Sequence, residues 1–353
     1  MHGVGMLNRT SISAVTEYSP VTLSGEWPKV GRLIFMVLLS TIGTILNGFF
    51  VASFFVEYSL RRVGFVFLAC VGMADLCITA CVMPISSVVL LSGEWDNQYV
   101  CNAQQFITVS ATYCYSLFFL CVAVEDYLRL CCSQAAYDKL VACNTAFITV
   151  FIFLLSFTLG AIGVYLDLDY DYCKRVHLGN SYFRVFSTGL FHVLPSVCTI
   201  YCLISSYFGV RRRARQQISY KRSLAYGRDS SIAMLNIIAY MLFFSAWMPY
   251  LIASIDLRVV SDAKYYNSVW VGVGRSVFTS FMYGILNRNF RRAFAHLFNY
   301  CCCKSTLSGP LASRHRREYR QGTSDVRVHI MHQAVSTSSP QRAITSIRET
   351  QEL

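Results

Sequence analysis

Long apolar stretches alternate with short polar segments along most of the chain. About 20 apolar residues suffice to cross a bilayer as an α-helix, whereas a barrel strand needs about half that length. Five stretches contain no Asp, Glu, Lys or Arg, and two more contain a single ionised residue each. The pattern predicts an all-α membrane protein, a bundle of seven transmembrane helices. The stretches are residues 33–56, 64–91, 106–124, 144–166, 185–210, 230–255 and 265–287.

The composition agrees with this fold class. Of the 353 residues, 54% are hydrophobic and 14% are charged, against roughly 25% charged in soluble domains. The first apolar run begins at Leu33 and has no small-residue cleavage pattern nearby, so we expect no cleavable signal peptide. The spans contain no Ser–His–Asp cluster, metal-ligand spacing or phosphate-binding loop, so no enzyme, metal or cofactor is predicted. Without inverted repeats, a transporter or channel is also disfavoured.

The basic residues of the connecting segments predict the orientation. Arg61 and Arg62 follow the first stretch, seven Lys and Arg residues lie between Arg211 and Arg228, and many follow the last stretch. Positive residues collect on the cytoplasmic side, so the N-terminus is expected outside the cell, at the plasma membrane. The formal net charge of +12 then indicates contact with anionic lipid, and no nucleic acid partner is expected.

Four segments are predicted along the chain. Residues 1–31 form an extracellular N-terminus with an N-glycosylation triplet at Asn8, and residues 32–287 form the bundle. Residues 288–300 alternate basic and apolar residues, as a short amphipathic eighth helix on the membrane surface does. Residues 301–353 are polar and indicate a disordered cytoplasmic tail. Adjacent cysteines at its start are candidate palmitoylation sites, with an unmodified cluster as the alternative. They are Cys301, Cys302 and Cys303.

A set of residues from the first span to the tail follows the order and spacing of a known family. They are Asn47, Met73–Leu76 with Pro84, Trp95 before Cys101, Cys173, Pro195, Phe243 with Trp247–Pro249, and Tyr283 before Phe290. Together they resemble the rhodopsin-like class of G-protein-coupled receptors over residues 33–300. The resemblance implies a receptor that senses an extracellular ligand and signals through heterotrimeric G proteins.

The resemblance also implies roles for individual residues. Cys101 and Cys173 would form a disulfide, worth roughly 2–4 kcal/mol. Apart from the resemblance, most other cysteines within spans are expected to be small buried packing residues, such as Cys70, Cys77, Cys114 and Cys198. Trp247 would lie beneath the ligand pocket, with simple packing as the alternative role. Prolines bend helices, so kinks are expected at Pro84, Pro195 and Pro249. The resemblance implies that the bend at Pro249 lets the sixth helix swing outward. The implied activation switch comprises Glu125, Asp126, Tyr127, Phe243, Trp247, Pro249 and Tyr283.

The end of the third span departs from the family pattern. An acidic residue, Arg and Tyr usually stand there, and this chain has Glu125–Asp126–Tyr127. A carboxylate cannot make the contacts of the arginine that meets the G protein and locks the inactive state. The alternative function is therefore a receptor that acts through arrestin, trafficking or adhesion without G-protein activation. Arg129 could supply a displaced guanidinium, but a solvated surface pair is the favoured interpretation.

Two spans carry one charge each, Asp75 in the second and Arg275 in the seventh. An unpaired ion in hydrocarbon costs several kcal/mol, so charges there find partners. In the family, the Asp75 position binds a sodium ion. We hypothesise that the Arg275 guanidinium takes the place of that ion and pairs with Asp75. The alternative is that Arg275 faces water or binds an anionic ligand.

The candidate ligand pocket carries no anion. The position at which amine receptors of the family have an aspartate is Thr108, so a monoamine ligand is not expected. Neutral and partly aromatic residues suit an uncharged or lipid-like molecule, and a peptide is the alternative. The candidate pocket residues are Thr108, Thr112, Tyr113, His192, Trp247, Tyr250 and Leu251.

Overall fold

Seven membrane-length helices make up most of the described part of the protein, as the apolar pattern predicts. The computed structural model describes residues 29–60, 62–92, 98–133, 135–138, 145–166, 168, 170–171, 176–177, 181–255 and 262–302. Within them, seven helices are long and apolar enough to cross a membrane. These spans are α1 (Val30–Val56), α2 (Val63–Ser92), α3 (Gln98–Cys131), α4 (Thr145–Tyr165), α5 (Tyr182–Gln216), α6 (Leu224–Ala253) and α7 (Asn267–Leu286).

Some spans belong to longer helices, and three of them change helical type along their length. The α1 span lies in the helix Lys29–Val56, and α6 lies in Leu224–Ile255. In α2, a π-helical turn at Ile78–Val82 separates the α-helical segments Val63–Cys77 and Met83–Ser92. In α5, a π-helical turn at Gly189–Val193 separates Ser181–Thr188 from Leu194–Gln216. In α7, a 3₁₀ turn at Arg275–Val277 separates Asp262–Gly274 from Phe278–Leu286.

Short elements lie between the spans. A 3₁₀ turn, Tyr58–Leu60, follows α1, and a four-residue helix, Ile218–Lys221, follows α5. Two antiparallel strands, Tyr170–Asp171 and Val176–His177, lie between α4 and α5. After α7 comes helix α8, Arg288–Cys302. This helix continues two residues past the expected end at residue 300 and includes Cys301 and Cys302.

The π-helical turns accompany two of the three prolines for which bends are predicted. A proline has no N–H to donate to the carbonyl four residues earlier, so the regular hydrogen-bond ladder cannot continue through it. Before Pro84, the Met83 N–H bonds the Ile78 carbonyl five residues back, and before Pro195, Leu194 does the same with Gly189. The wider turns keep these backbone groups paired inside the bundle. Pro249 lies within the continuous α6 helix.

Helix α3 is the centre of the bundle and packs against α2, α4 and α5. Its most apolar stretch is 67% buried, compared with 28% for α1 and for α4. We call the end of the bundle at which α1 begins the N face and the end at which α7 finishes the C face. Aromatic side chains fill much of the interior between them. The largest fully buried ones include Trp247, Tyr115, Tyr240, Tyr283, Phe50 and Phe118.

The outer surface of the bundle is apolar, as expected for a lipid-facing surface. On α4 and α5, large side chains such as Phe147 and Val197 are mostly exposed. Cysteines share this surface: Cys77 and Cys198 are exposed, so the expectation that they are buried packing residues is wrong. Each lies on the side of its helix that faces away from the bundle. Cys70 and Cys114 are buried.

The described chain divides into two compact units, with the boundary after Phe294. In the first unit, the start of α8 is anchored by aromatic packing. The Phe290 ring is fully buried and stacks on Phe50 with the ring centroids 4.7 Å apart, and Tyr283 contacts it at 5.6 Å. Phe294 packs edge-on against Phe49. The remaining described part of α8, Ala295–Cys302, belongs to the second unit.

Candidate functional site

Midway through the bundle, the two isolated charges lie in contact. The Arg275 Nη2 atom donates to Asp75 Oδ1 at 2.6 Å, and Nη1 donates to the Thr279 hydroxyl at 2.9 Å. The guanidinium carbon lies 4.3 Å from the centroid of the Tyr115 ring. Both charged residues are almost fully buried, at 0% and 3% exposure. We call Asp75 and Arg275 the mid-bundle pair.

A polar network beside the mid-bundle pair joins α1, α2 and α7. The Asn47 amide donates to the Thr79 hydroxyl at 3.3 Å and to the Ser276 carbonyl at 3.1 Å. The Ser280 hydroxyl donates to the Asn47 amide oxygen. The Ser276 carbonyl lies in the 3₁₀ turn of α7, so Asn47 binds the backbone where this helix changes type.

At the C face, Arg129 links α3 to α6. Its guanidinium contacts Asp126 at 3.1 Å and Asp229 of α6 at 3.1 Å, and its Nε lies 3.6 Å from Glu125. The Arg129 side chain is only 15% exposed. The expected solvated surface pair is therefore wrong: this arginine lies inside the bundle and contacts three carboxylates.

A second arginine, from the start of α2, completes the group. The Arg62 Nε lies 3.2 Å from Glu125 and its Nη2 lies 3.6 Å from Asp126. Glu125 and Asp126 are completely buried. The adjacent carboxylates are thus compensated by guanidinium groups on both sides. We call Arg62, Glu125, Asp126, Arg129 and Asp229 the C-face charge cluster.

Hydrogen bonds connect the cluster to α7. The Asn236 amide of α6 donates to Asp126 Oδ2, and the Tyr283 hydroxyl of α7 donates to the Asn236 amide oxygen. Tyr283 is fully buried, and Asn236 is 4% exposed. An amide accepts and donates at once, so Asn236 can join a hydroxyl to a carboxylate. This chain of bonds ties three spans together at the depth of Asp126.

Two tyrosines outside the spans also donate to the cluster. The Tyr137 hydroxyl donates to Glu125 at 3.2 Å, and the Tyr220 hydroxyl donates to Asp229 at 3.1 Å. Burial, together with the nearby Asp229 carboxylate, raises the pKa of Tyr220 to about 12. Burial and Glu125 likewise raise the pKa of Tyr137 above its usual value. Both phenols therefore remain protonated donors at neutral pH.

An aromatic column lies beside the mid-bundle pair, between α3 and α6. Phe243 packs against Tyr115 and Phe119, with ring centroids 5.7 Å and 5.3 Å away. Trp247 is 2% exposed and lies 6.4 Å from Tyr115. A Cβ at Gly272 of α7 would lie 2.7 Å from the Trp247 ring, so the absence of a side chain there makes room for the indole. Tyr115 thus contacts both this column and Arg275.

The candidate pocket residues lie in the N-face half of the bundle. Tyr113 stacks on His192 with ring centroids 4.9 Å apart, and Trp247 contacts Tyr250 at 5.6 Å. His192 lies in the π-helical turn of α5, and its ring faces α3. Thr108 and Thr112 donate to carbonyls of their own helix. Leu251 lies half-buried one residue beyond Tyr250.

The comparison with known families identifies the bundle. Residues 46–279, from α1 into α7, match the family described as 7 transmembrane receptor (rhodopsin family). The chain belongs to this family. The protein is therefore a multi-pass receptor of the plasma membrane, as the marker residues indicated.

Similar receptors and a solved structure agree. The receptor is 23% identical to the melatonin receptor type 1A of Mus musculus, over 76% of this chain and 80% of that protein. It is 24% identical to the histamine H2 receptor of Rattus norvegicus, over 68% and 71%. Squid rhodopsin has a similar fold, with a TM-score of 0.64 at 14% identity over 80% of this chain and 89% of that chain. These relatives are receptors rather than enzymes, in accord with the prediction.

Several residues of the C-face charge cluster, or bonded to it, were absent from the predicted site. Asp229 and Asn236 lie 100 and 110 residues from the α3 side chains that they contact. A signal for each was present in the sequence: Asp229 is an acid directly after a basic segment, and Asn236 is an amide inside an apolar span. By contrast, Tyr127, which the prediction included, packs against Tyr201 of α5 and not within the C-face charge cluster.

Other predicted residues lie at the margins of the structure. Cys101 is buried in the first turn of α3 and is disulfide-bonded, whereas Cys173, its expected partner, lies outside the described residues. The pairing stays a prediction. Asn8 and Cys303 are also outside the described residues, and Cys301 is exposed on α8.

Proposed function

We propose that this receptor binds an extracellular ligand at the N face and activates heterotrimeric G proteins at the C face, with its N-terminus outside the cell. The observation that carries the proposal is the contact between Arg129 of α3 and Asp229 of α6. A receptor of this family needs a C face that can be held closed and then opened. The displaced arginine supplies such a tie although Asp126 occupies the usual arginine position.

Opening of α6 has an identifiable cost in this arrangement. An outward movement of its C-face end separates Asp229 from Arg129 and Asn236 from Asp126. Hydrogen bonds to charged groups contribute about 1.5–3 kcal/mol each, so the closed state gains stability from both contacts. Pro249 lies between these contacts and Tyr250, so a bend there would connect a ligand at the N face with movement at the C face.

One observation favours the second candidate function, a receptor that acts through arrestin, trafficking or adhesion. Asp126 is fully buried and is held by Arg62, Arg129 and Asn236. Opening the bundle would therefore present carboxylates beside the arginines, a surface unlike the one that the family offers to G proteins. The two candidates differ in what the opened C face binds, and not in how it is closed.

The test is ligand-independent G-protein activation by the wild type and Asp229→Asn, in cells with matched surface expression. Loss of about 1.4 kcal/mol from the closed state multiplies the open fraction tenfold. We therefore expect Asp229→Asn to raise basal activation of at least one G-protein class about tenfold. Glu57→Gln is the matched control: it changes a C-face carboxylate that accepts a hydrogen bond from Ser59 and is not a member of the C-face charge cluster, and it should match the wild type.

A parallel assay of arrestin recruitment separates the two candidates. If Asp229→Asn leaves every G-protein class silent but increases arrestin recruitment, the second function replaces the first. If neither readout changes while the variant reaches the cell surface, the Arg129–Asp229 contact does not hold the C face closed, and the proposed mechanism is wrong.

A further inference from the structure

A cavity of about 670 Å³ lies along α7, between this helix and α1 and α6. Its walls are mostly apolar and include Phe35 and Leu39 of α1, Leu242 of α6 and Phe278 of α7. The volume falls within the roughly 300–1,000 Å³ of small-molecule sites. None of the residues predicted for the ligand pocket is among its lining residues. The cavity is thus a site separate from the predicted pocket.

The cavity opens toward the lipid and not only toward the bundle interior. Phe35, Val271 and Phe278 line it and are each more than half exposed on the outer surface of the spans. All three lie within helices that cross the membrane. An occupant therefore comes from the bilayer, and most of its surface must be apolar to match these walls.

Arg275 gives this apolar cavity a specific polar group. Its side chain lines the cavity and is almost completely buried. Both Nη atoms are used, by Asp75 and Thr279, whereas Nε has no hydrogen-bond partner among the described residues. A buried donor without an acceptor is unfavourable, so an oxygen atom supplied by an occupant stabilises it.

The charge of the mid-bundle pair determines which oxygen fits. Asp75 already compensates the guanidinium, so the pair is neutral overall. A ligand carboxylate would place a second anion beside Asp75 in a region of low dielectric constant, which is unfavourable. A carbonyl oxygen accepts a hydrogen bond without adding charge.

We propose that the cavity binds a neutral single-chain acyl lipid from the membrane, whose ester or amide carbonyl accepts a hydrogen bond from Arg275 Nε. The acyl chain lies against Leu39, Leu242 and Phe278. A cavity of this size suits one chain rather than two. Binding requires no coupling to a G protein, so it can be tested separately from the proposed function.

The experiment uses the purified full-length receptor in nanodiscs and a monoacylglycerol with a photoreactive diazirine in its chain. Covalent labelling is located by mass spectrometry and is expected in peptides of α1, α6 and α7. Unlabelled monoacylglycerol should compete, whereas the free fatty acid of the same chain length should compete about tenfold less well, because of its charge. Equal competition by the two overturns the neutral specificity.

Matched variants at Gly274 test the location. A Cβ at this position would meet only Leu39, at 3.8 Å, so Gly274→Ala is accommodated. Gly274→Leu places a branched side chain in the cavity and should reduce labelling about tenfold, whereas Gly274→Ala should not. Ala246→Leu fills the same cavity from α6 and replaces Gly274→Leu in the test if that variant fails to fold. Undiminished labelling in a folded cavity-filling variant overturns the site.

Arg275→Lys tests the hydrogen bond. Lysine keeps a positive charge near Asp75 but has no Nε–H at the guanidinium position. In this variant we expect weaker labelling by the monoacylglycerol probe, and unchanged labelling by an alkane-chain probe that lacks a carbonyl. Equal loss for both probes contradicts a role for the carbonyl. Thermal unfolding of each variant shows whether the bundle is intact.

Discussion

Single side chains decide how the receptor tolerates charge inside an apolar bundle. Arg129 contacts three carboxylates, and Arg275 contacts one. The sequence alone led to the hypothesis that Asp75 and Arg275 meet, because few partners exist for an isolated charge in a span. The partners of Arg129 could not be derived in the same way, since Asp229 lies next to basic residues and spacing along the chain gives no distance between helices.

The mid-bundle pair predicts a receptor without sodium sensitivity. The hypothesis that the Arg275 guanidinium takes the place of the ion beside Asp75 predicts the same melting temperature in sodium chloride and in potassium chloride of equal ionic strength. Arg275→Asn leaves Asp75 unpaired, which costs about 3–5 kcal/mol, and sodium should then raise the melting temperature. Thermal unfolding of the purified receptor measures this. Arg222→Asn, a substitution of an exposed C-face residue, is the control and should have the same melting temperature in both salts. A sodium effect on the wild type contradicts the hypothesis.

At the scale of helices, charge-free stretches located the spans but not their ends. The α3 helix begins at Gln98, before the predicted start at residue 106, and continues past the predicted end at residue 124 to Cys131. It continues because Glu125, Asp126 and Arg129 find oppositely charged partners in the C-face charge cluster and do not end the span. The prolines predicted bends, and at Pro84 and Pro195 the structure has π-helical turns. The 3₁₀ turn of α7 has no proline and was not predicted; it lies where Arg275 and Asn47 make their contacts.

Two glycines of α7 provide a prediction at this scale. Replacing glycine by alanine in a helix is favourable by about 1 kcal/mol. The Cβ of Gly274→Ala would make only an ordinary contact with Leu39, at 3.8 Å, so this variant should maintain or raise the melting temperature. Gly272→Ala should lower it, because the added carbon meets the buried Trp247 ring, and overpacking costs about 1–3 kcal/mol. Thermal unfolding of the two variants side by side is the measurement. If Gly272→Ala is as stable as Gly274→Ala, Trp247 has room to move, and the close packing is not a constraint.

For the whole molecule, hydrophobic patterning was sufficient to predict the fold class, and the marker residues carried the resemblance to the family. These features were not sufficient to predict the ligand, because the candidate pocket residues are neutral and such residues can bind ligands of many chemical classes. The lipid-facing cavity along α7 could not be predicted, since its walls come from four helices and no local sequence pattern reports the distances between helices.

The proposed orientation of the whole molecule, with the N-terminus outside the cell, predicts modification at Asn8. The triplet Asn8–Arg9–Thr10 is the sole Asn-x-Ser/Thr triplet with x other than proline in the sequence. With the N-terminus outside, the receptor expressed in animal cells should lose apparent mass on treatment with an N-glycosidase. Asn8→Gln should remove the shift, and Arg9→Lys, which keeps the triplet, should preserve it. A shift that persists in Asn8→Gln, or its absence in the wild type, contradicts this prediction.

The C-face charge cluster also limits how this sequence can change over evolutionary time. Two arginines and three carboxylates from α2, α3 and α6 share their contacts, so replacing one member leaves another buried charge without compensation. Residues coupled in this way do not contribute independently to stability. Descendants of this gene should therefore exchange these five positions in groups, for example Arg129 together with Asp229, and intermediates with a single exchange should be rare.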